Sequence, residues 1–503
     1  MIQETDVLII GGGIAGALCA YELAKKKIQV TLITSGKGNS HRAQGGISYQ
    51  ADRQDNTLFK EDIMQAGAGL CYERAVDQLV TWGPKYVEEI LLNEIKVPFE
   101  KCEKGMWKLT KEAAHSASRI LYHGDTTGQK IMESIEMKIS DNPFITRREV
   151  QSVIDLITLS HHSKTPTDIY APSTCIGAYV LEGDSVVTLL AKETVIATGG
   201  VGEVFLHTTN SKEARGDGVA MAYRAGVRIM NMEYVQFHPT AFYHEGEPRF
   251  LLSEALRGEG GRILSHDFKP FMNELSPRDE AAREIFQEMV RTSRPHVWID
   301  MSFKEKDFLQ KRFPTIYGHC LARGWDLAEE PIPVVPAAHF SCGGIAVDLE
   351  GRTTLRGLSA IGEVACSGVH GANRLASTAL LEGLVWAKTC SDAISRTITP
   401  LKFPEVEPWK MGTEPIDEAL IQQDWMTIKQ TMWNYVGLVR NTHRLKRAYK
   451  MLSELKWEID SFYADAVLTP ELLGLRNGCE TALLITQGAL RNPHSRGVHY
   501  RIR

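Results

Sequence analysis

No apolar run in this chain reaches the roughly 20 residues needed to cross a bilayer, so no transmembrane segment is expected. The first strand-like run, DVLII, starts at Asp6, too early for a signal or transit peptide, and a soluble cytoplasmic protein is the expectation. Positive charge is also short. The net charge of −5 argues against a nucleic-acid partner, because neutralising phosphates takes a basic surface. The nine cysteines contain no C-x-x-C pair, which leaves no zinc ribbon or iron–sulfur run to propose. No metal site is expected, and free thiols in a reducing compartment follow. Internal repeats and low-complexity tracts are missing. What is present is bulk: 503 residues, 43% of them hydrophobic, can bury the cores of about two to four domains.

DVLII leads directly into GGGIAG, then a helical pattern to Lys26 and the strand QVTLIT, which together read as a βαβ unit. Gly11, Gly13 and Gly16 fit G-x-G-x-x-G between strand and helix. The first permits the tight turn, the second lets backbone approach a pyrophosphate, and the third allows close helix packing. One thing is lacking here as well. The acidic residue expected after the second strand is replaced by Ile33, Thr34, Ser35 and Gly36, which weakens a reading as an NAD site. FAD fits better, because distant segments can share its long body: ATGG at 197–200 ends a strand, and AIGEVACSG supplies Glu363 after another.

Apolar runs near 185–200 and 357–368 thus read as parts of the same sheet as the first strand. The interval 232–339, with the charged stretch SPRDEAAREIFQEMVR, reads as an insertion. Pro400, Pro404, Pro408 and Pro415 space a linker. Beyond it the pattern is helical, with Trp425, Ile428, Met432, Tyr435 and Val439, and then Leu445, Ala448, Leu452, Leu455 and Ile459, at alternating spacings of three and four. These stripes predict the core of an antiparallel bundle.

Six further motifs occur in order: AQGGI (43–47), QFHPTAF (236–242), SEALRGEGG (253–261), SPRD (276–279), VPAAHFSCGG (335–344) and SGVHGANRLAS (367–377). With them the chain resembles the succinate dehydrogenase and fumarate reductase flavoprotein family, on its L-aspartate oxidase branch. The resemblance runs from residue 6 to about residue 500. It implies an α/β plus α protein: a Rossmann-like FAD-binding domain (1–231 and 340–402) interrupted by an α+β capping domain (232–339), then a C-terminal three-helix domain (410–503). The implied activity is FAD-dependent oxidation of L-aspartate to iminoaspartate, with oxygen or fumarate as acceptor. That is the first step of NAD biosynthesis from aspartate, functionally coupled to quinolinate synthase. The alternative is a succinate dehydrogenase or fumarate reductase flavoprotein subunit.

As cofactor contacts the motifs and the resemblance supply Gly11, Gly12, Gly13, Ile14, Ala15, Gly16, Ser35, Asn39, Ser40, His41, Arg42, Ala43, Gln44, Gly45, Gly46, Asp217, Glu363, Ala379 and Leu380. FAD is expected to be non-covalent: family members with covalent FAD attach it to a histidine five residues before the loop glutamine, and here that position is Asn39. For the dicarboxylate the resemblance implies His238, Ser253, His339 and Arg374, with Arg278 over the reacting carbons and Glu254 and Arg257 as its proton relay. An arginine stays protonated in solution to above about pH 12, so Arg278 reads first as an electrostatic clamp. Glu112 stands where succinate-oxidising relatives have glutamine, and it suits a substrate carrying an ammonium group. Two patterns depart from the family: EAAHS (112–116) replaces Glu-Gly-Gly-His-Ser, and Thr378-Ala379 replaces Asn-Ser. The chain also stops at RGVHYRIR, where relatives continue, so a tail is expected to be absent or lost.

Overall fold

DVLII becomes the buried half of strand Ile2–Ile10, and QVTLIT becomes strand Val30–Thr34, in a computed structural model that describes residues 2–51, 55–112, 114–150, 152–274, 276–399 and 401–502. Pro400 of the linker and Ala113 of the EAAHS stretch lie outside the described residues. Val7, Leu8, Ile9 and Ile10 are buried on both faces, which explains a continuous apolar run instead of an alternating one. The sheet order is Ile145–Glu149, Val30–Thr34, Ile2–Ile10, Ser185–Ile196, Cys175–Glu182, Ser152–Thr158. Its first four strands are parallel and its last two antiparallel. Strand Leu358–Ala360 joins in parallel at residues 194–196, so the late run near 358 does return to the first sheet.

A second, five-stranded sheet takes its strands from residues 235–341, in the order Phe250–Leu251, Val235–Phe242, Ile332–Ser341, Val297–Asp300, Arg262–Leu264. The charged stretch after Pro277 forms helix Arg278–Thr292, which presents Ala281, Ala282, Ile285 and Met289 inward. Three long helices close the chain: Glu418–Val436, Thr442–Tyr463 and Pro470–Arg491. Each begins at a side-chain cap, with Asp417, Asn441 and Thr469 accepting from the amides of Ala419, Arg444 and Leu472, and each cap is worth about 1 kcal/mol. Leu445, Ala448, Leu452, Leu455 and Ile459 are all buried, so that stripe is core. The last helix also braces the first sheet's surroundings through Arg224–Glu480, Arg476–Asp155 and a bond from Asn477 to Asp217.

Candidate active site

Gly11 ends the first strand at φ +117°, and a Cβ there would lie 2.2 Å from Ala197 O. Gly16 lets helix Ile14–Lys25 sit on that turn, since its Cβ would lie 1.9 Å from Gly11 O. The backbone itself excludes side chains at both positions. The helix starts at Gly13 with no side-chain cap, and the Ile14 amide donates to Ser40 Oγ at 3.1 Å. Its positively polarised end borders a cavity of about 510 Å³. Ser35, the stretch from Asn39 to Gly46, Asp217, Glu363, Ala379 and Leu380 line the same cavity. Of the expected cofactor contacts Gly16 alone stays outside its lining, in its helix-packing role.

Several features fit FAD. Gln44 Oε1 and Thr198 Oγ1 line the cavity, buried and without a hydrogen-bond partner among the described residues. Leaving such an atom unpaired costs about 1–3 kcal/mol, so the wall suits a polar ligand. Glu363 accepts from the Ser341 amide at 3.1 Å, and burial, opposed by that amide and by Arg374, pushes its carboxyl up to about 7. Asn39 Oδ1 accepts from the Ser211 amide at 2.8 Å. Both oxygens of Asp217 are engaged, by Arg215 and Asn477. His41 sits half-buried on the cavity wall, with burial and then Lys37 holding its imidazole below the ordinary range.

The expected dicarboxylate residues converge in the same cavity. His238 and His339 stand on adjacent antiparallel strands, with ring centroids 5.2 Å apart. Burial first, and then the nearby arginines, hold both imidazoles well below their ordinary range, so each is a neutral donor at pH 7. Thr209 Oγ lies 2.9 Å from His339 Nδ1. The Arg374 guanidinium stacks 4.3 Å from the Phe340 ring and is pushed down by burial, then by Arg278, to about 10, still cationic at neutral pH. Arg278 Nε donates to Glu254 Oε2, and Arg257 Nη2 donates to Glu254 Oε1 at 2.9 Å. Burial acts to raise the Glu254 carboxyl, but the two guanidiniums outweigh it and hold it low. Arg257 lies behind the cavity wall and reaches Glu274 O at 2.7 Å, while Ser253 lines the cavity directly. Gln236, which opens the QFHPTAF motif, is a site residue that its amide side chain does not mark in the sequence. Its Oε1 accepts from Arg374 at 3.2 Å and from Arg278 at 3.4 Å, joining the two cations.

Glu112 has two nearby cations in sequence, and neither takes it. Lys111 donates to Ser116 O, and Arg119 is bound to Asp55 and Asp62. Instead Glu112 Oε2 accepts from Ser377 Oγ at 2.7 Å, and Oε1 lies 2.7 Å from where a Cβ on Gly45 would stand. A glycine in the AQGG loop thus makes room for this carboxylate. Burial pushes the Glu112 carboxyl up, opposed chiefly by Arg278. The segment is anchored by His115 Nε2, 3.0 Å from Ala376 O, and by Ser116, whose N and Oγ both donate to Asp62. Ala114 occupies the left-handed region at φ +65°, where the family pattern has glycine.

Residues 6–380 match the FAD binding domain family, and residues 426–502 match the fumarate reductase flavoprotein C-terminal family. The chain is 40% identical to L-aspartate oxidase 1 of Ralstonia nicotianae, over 98% of this chain and 94% of that one. It is likewise 40% identical to the L-aspartate oxidase of Yersinia pestis, covering 99% and 95%. Among solved structures, E. coli quinol fumarate reductase FrdA superposes with a TM-score of 0.87 at 25% identity, covering 100% of this chain and 92% of that one. No described helix is long and apolar enough to cross a membrane. The chain belongs to the L-aspartate oxidase family of FAD-binding flavoproteins.

Proposed function

We propose that this chain oxidises L-aspartate to iminoaspartate with non-covalently bound FAD, using oxygen or fumarate as electron acceptor, as the first step of NAD biosynthesis from aspartate. The observation that carries this reading is the Glu112 carboxylate in one cavity with Arg278, Arg374, His238 and His339: cationic and neutral donors for two carboxylates, and one anion for an ammonium. A succinate oxidiser has no use for that anion.

Bound FAD supplies the two-electron acceptor. Gly11 to Ala15, Ser35, the 39–46 loop, Asp217, Ala379 and Leu380 would hold it, and Glu363 would accept from its ribose hydroxyls. Arg374 and His339 bind one substrate carboxylate, while His238 and Ser253 bind the other. Glu112 orients the α-ammonium and stands beside the proton that must leave nitrogen before an imine can form. Arg278 clamps charge over the reacting carbons, and its bond to Glu254, continued to Arg257, offers a route for a proton. The ranges 1–231 with 340–402, 232–339 and 410–503 act as FAD-binding, capping and C-terminal domains, a division supported by the separate sheet drawn from residues 235–341. The reaction belongs to the cytoplasm, a location supported by nine unpaired cysteines, and its product passes to quinolinate synthase. Anaerobic mixing tests the reading: L-aspartate bleaches the flavin of the purified holoprotein, whereas succinate binds without bleaching it. Bleaching by succinate and not by aspartate refutes it.

A further inference from the structure

The proposed substrate site is split between two walls. His238, Ser253, Glu254, Arg278 and His339 come from the segment 232–339, while Glu112 and Arg374 come from the FAD-binding side. Turnover on that reading needs the two walls held in register. Several side chains bridge them, among them Gln44 and Gln236, and one of these bridges ends on a helix N-terminus. Asp125, 3% exposed and lining the cavity, projects from the FAD-binding side, and its Oδ2 accepts from the amides of Thr315 at 2.9 Å and Ile316 at 3.0 Å. Those amides open helix Pro314–Leu321 of the capping segment, a helix without a side-chain cap of its own at Phe313. A carboxylate at a helix N-terminus gains from both the unpaired amides and the helix dipole. Here the cap is supplied from another unit, 190 residues away in sequence.

The same short segment grips the flavin loop. Thr127 Oγ donates to Gly45 O, and the Gly128 amide donates to Ala43 O at 2.9 Å. From within that loop, Gln44 Nε2 reaches Leu251 O of the capping segment at 2.7 Å. Residues 125–128 therefore tie the capping helix to the loop that carries Gly45, against which Glu112 packs.

We propose that Asp125 is a positioning residue that latches the capping segment closed over the substrate, coupling closure to the flavin loop. It touches no reacting atom. Its effect follows from population: a ligand that binds the closed form loses apparent affinity in proportion to the fraction closed, whereas saturating ligand restores closure. The inference rests on the proposed reading of the site.

The test uses holoenzyme carrying Asp125→Ala or Asp125→Asn. Removing two charge-assisted bonds in Asp125→Ala raises KM for L-aspartate and Kd for succinate together by about tenfold, while kcat at saturation stays within about threefold. Trypsin cuts the ligand-free variant faster than the wild type, and saturating succinate abolishes the difference. Asp125→Asn keeps an acceptor oxygen and falls between wild type and alanine. Unchanged KM and Kd with unchanged proteolysis overturn the proposal. So does a fall in kcat with no change in succinate affinity. Should Asp125→Ala fail to fold with FAD, the asparagine variant decides: raised KM and faster ligand-free proteolysis support the latch, and wild-type values of both overturn it. A wild type that binds succinate but does not oxidise aspartate sinks the reading of the reaction, whereas succinate affinity and proteolysis still report on Asp125.

Discussion

Replacing Glu112 with glutamine changes charge at constant shape. The amide keeps an oxygen for Ser377 Oγ, now 2.7 Å from Glu112 Oε2, and it fits the space left by Gly45. What disappears is an anion close enough to Arg278 and Arg374 for their charges to oppose the upward push of burial on its carboxyl. A hydrogen bond to a charged group contributes about 1.5–3 kcal/mol, so aspartate oxidation should fall by about ten- to a hundredfold, toward the upper end in a desolvated site. Fumarate carries no ammonium, and its reduction by the same variant should stay within about threefold of wild type. The acid limb provides a second reading. If aspartate oxidation uses ionised Glu112, whose carboxyl is raised by burial, activity should be lost as pH falls through a point above the ordinary glutamate value. In Glu112→Gln that limb should vanish from the residual activity. Both activities are measured on one preparation, aspartate oxidation by iminoaspartate formation and fumarate reduction with a reduced dye. If they fall together, Glu112 is a structural residue and no ammonium site exists at this carboxylate.

Removing Arg374 or His339 should weaken succinate binding by about ten- to a hundredfold, while Arg278→Leu should chiefly slow anaerobic flavin bleaching; an unchanged bleaching rate in Arg278→Leu contradicts its role. Glu363, raised to about 7 by burial, gives the apoprotein a stability contribution that is present at acid pH and lost as pH rises through about 7. If Glu363 holds FAD through its ionised form, Kd for FAD should drop about tenfold for each unit that pH rises toward about 7 and level off above it, and a fluorescence titration finding no such slope, or the same slope in Glu363→Gln, refutes the assignment. Ala114→Gly relieves a left-handed alanine and should stabilise the protein by about 1 kcal/mol in urea unfolding; a loss of stability would show that the strain is absent.

Local sequence carried much of this molecule, for reasons that differ from place to place. Gly11 and Gly16 are legible because backbone atoms within 2.2 Å of a Cβ position leave no other residue, and the bundle stripe from Leu445 to Ile459 is legible because helical period and burial coincide. The charged groups of the site are legible only through motif resemblance, since nothing in the spacing of His238, Arg278 and Arg374 says that they meet. Their supports escaped for the same reason. Ser377 reaches Glu112 across 265 residues and Asp125 reaches Thr315 across 190, contacts between segments far apart in sequence that no local period encodes. Gln236 stood in plain view inside a motif, but an amide gives no hint of two arginines until the strands bring them to its oxygen.

On this reading the cavity oxidises an amino dicarboxylate by itself. Steady-state turnover of L-aspartate and of succinate by the purified, FAD-loaded chain, with no added subunit and oxygen as acceptor, tests it most directly. L-aspartate should yield hydrogen peroxide and iminoaspartate, with succinate acting as a competitive inhibitor and no product formed from it. Conversion of succinate to fumarate with L-aspartate untouched would contradict this reading.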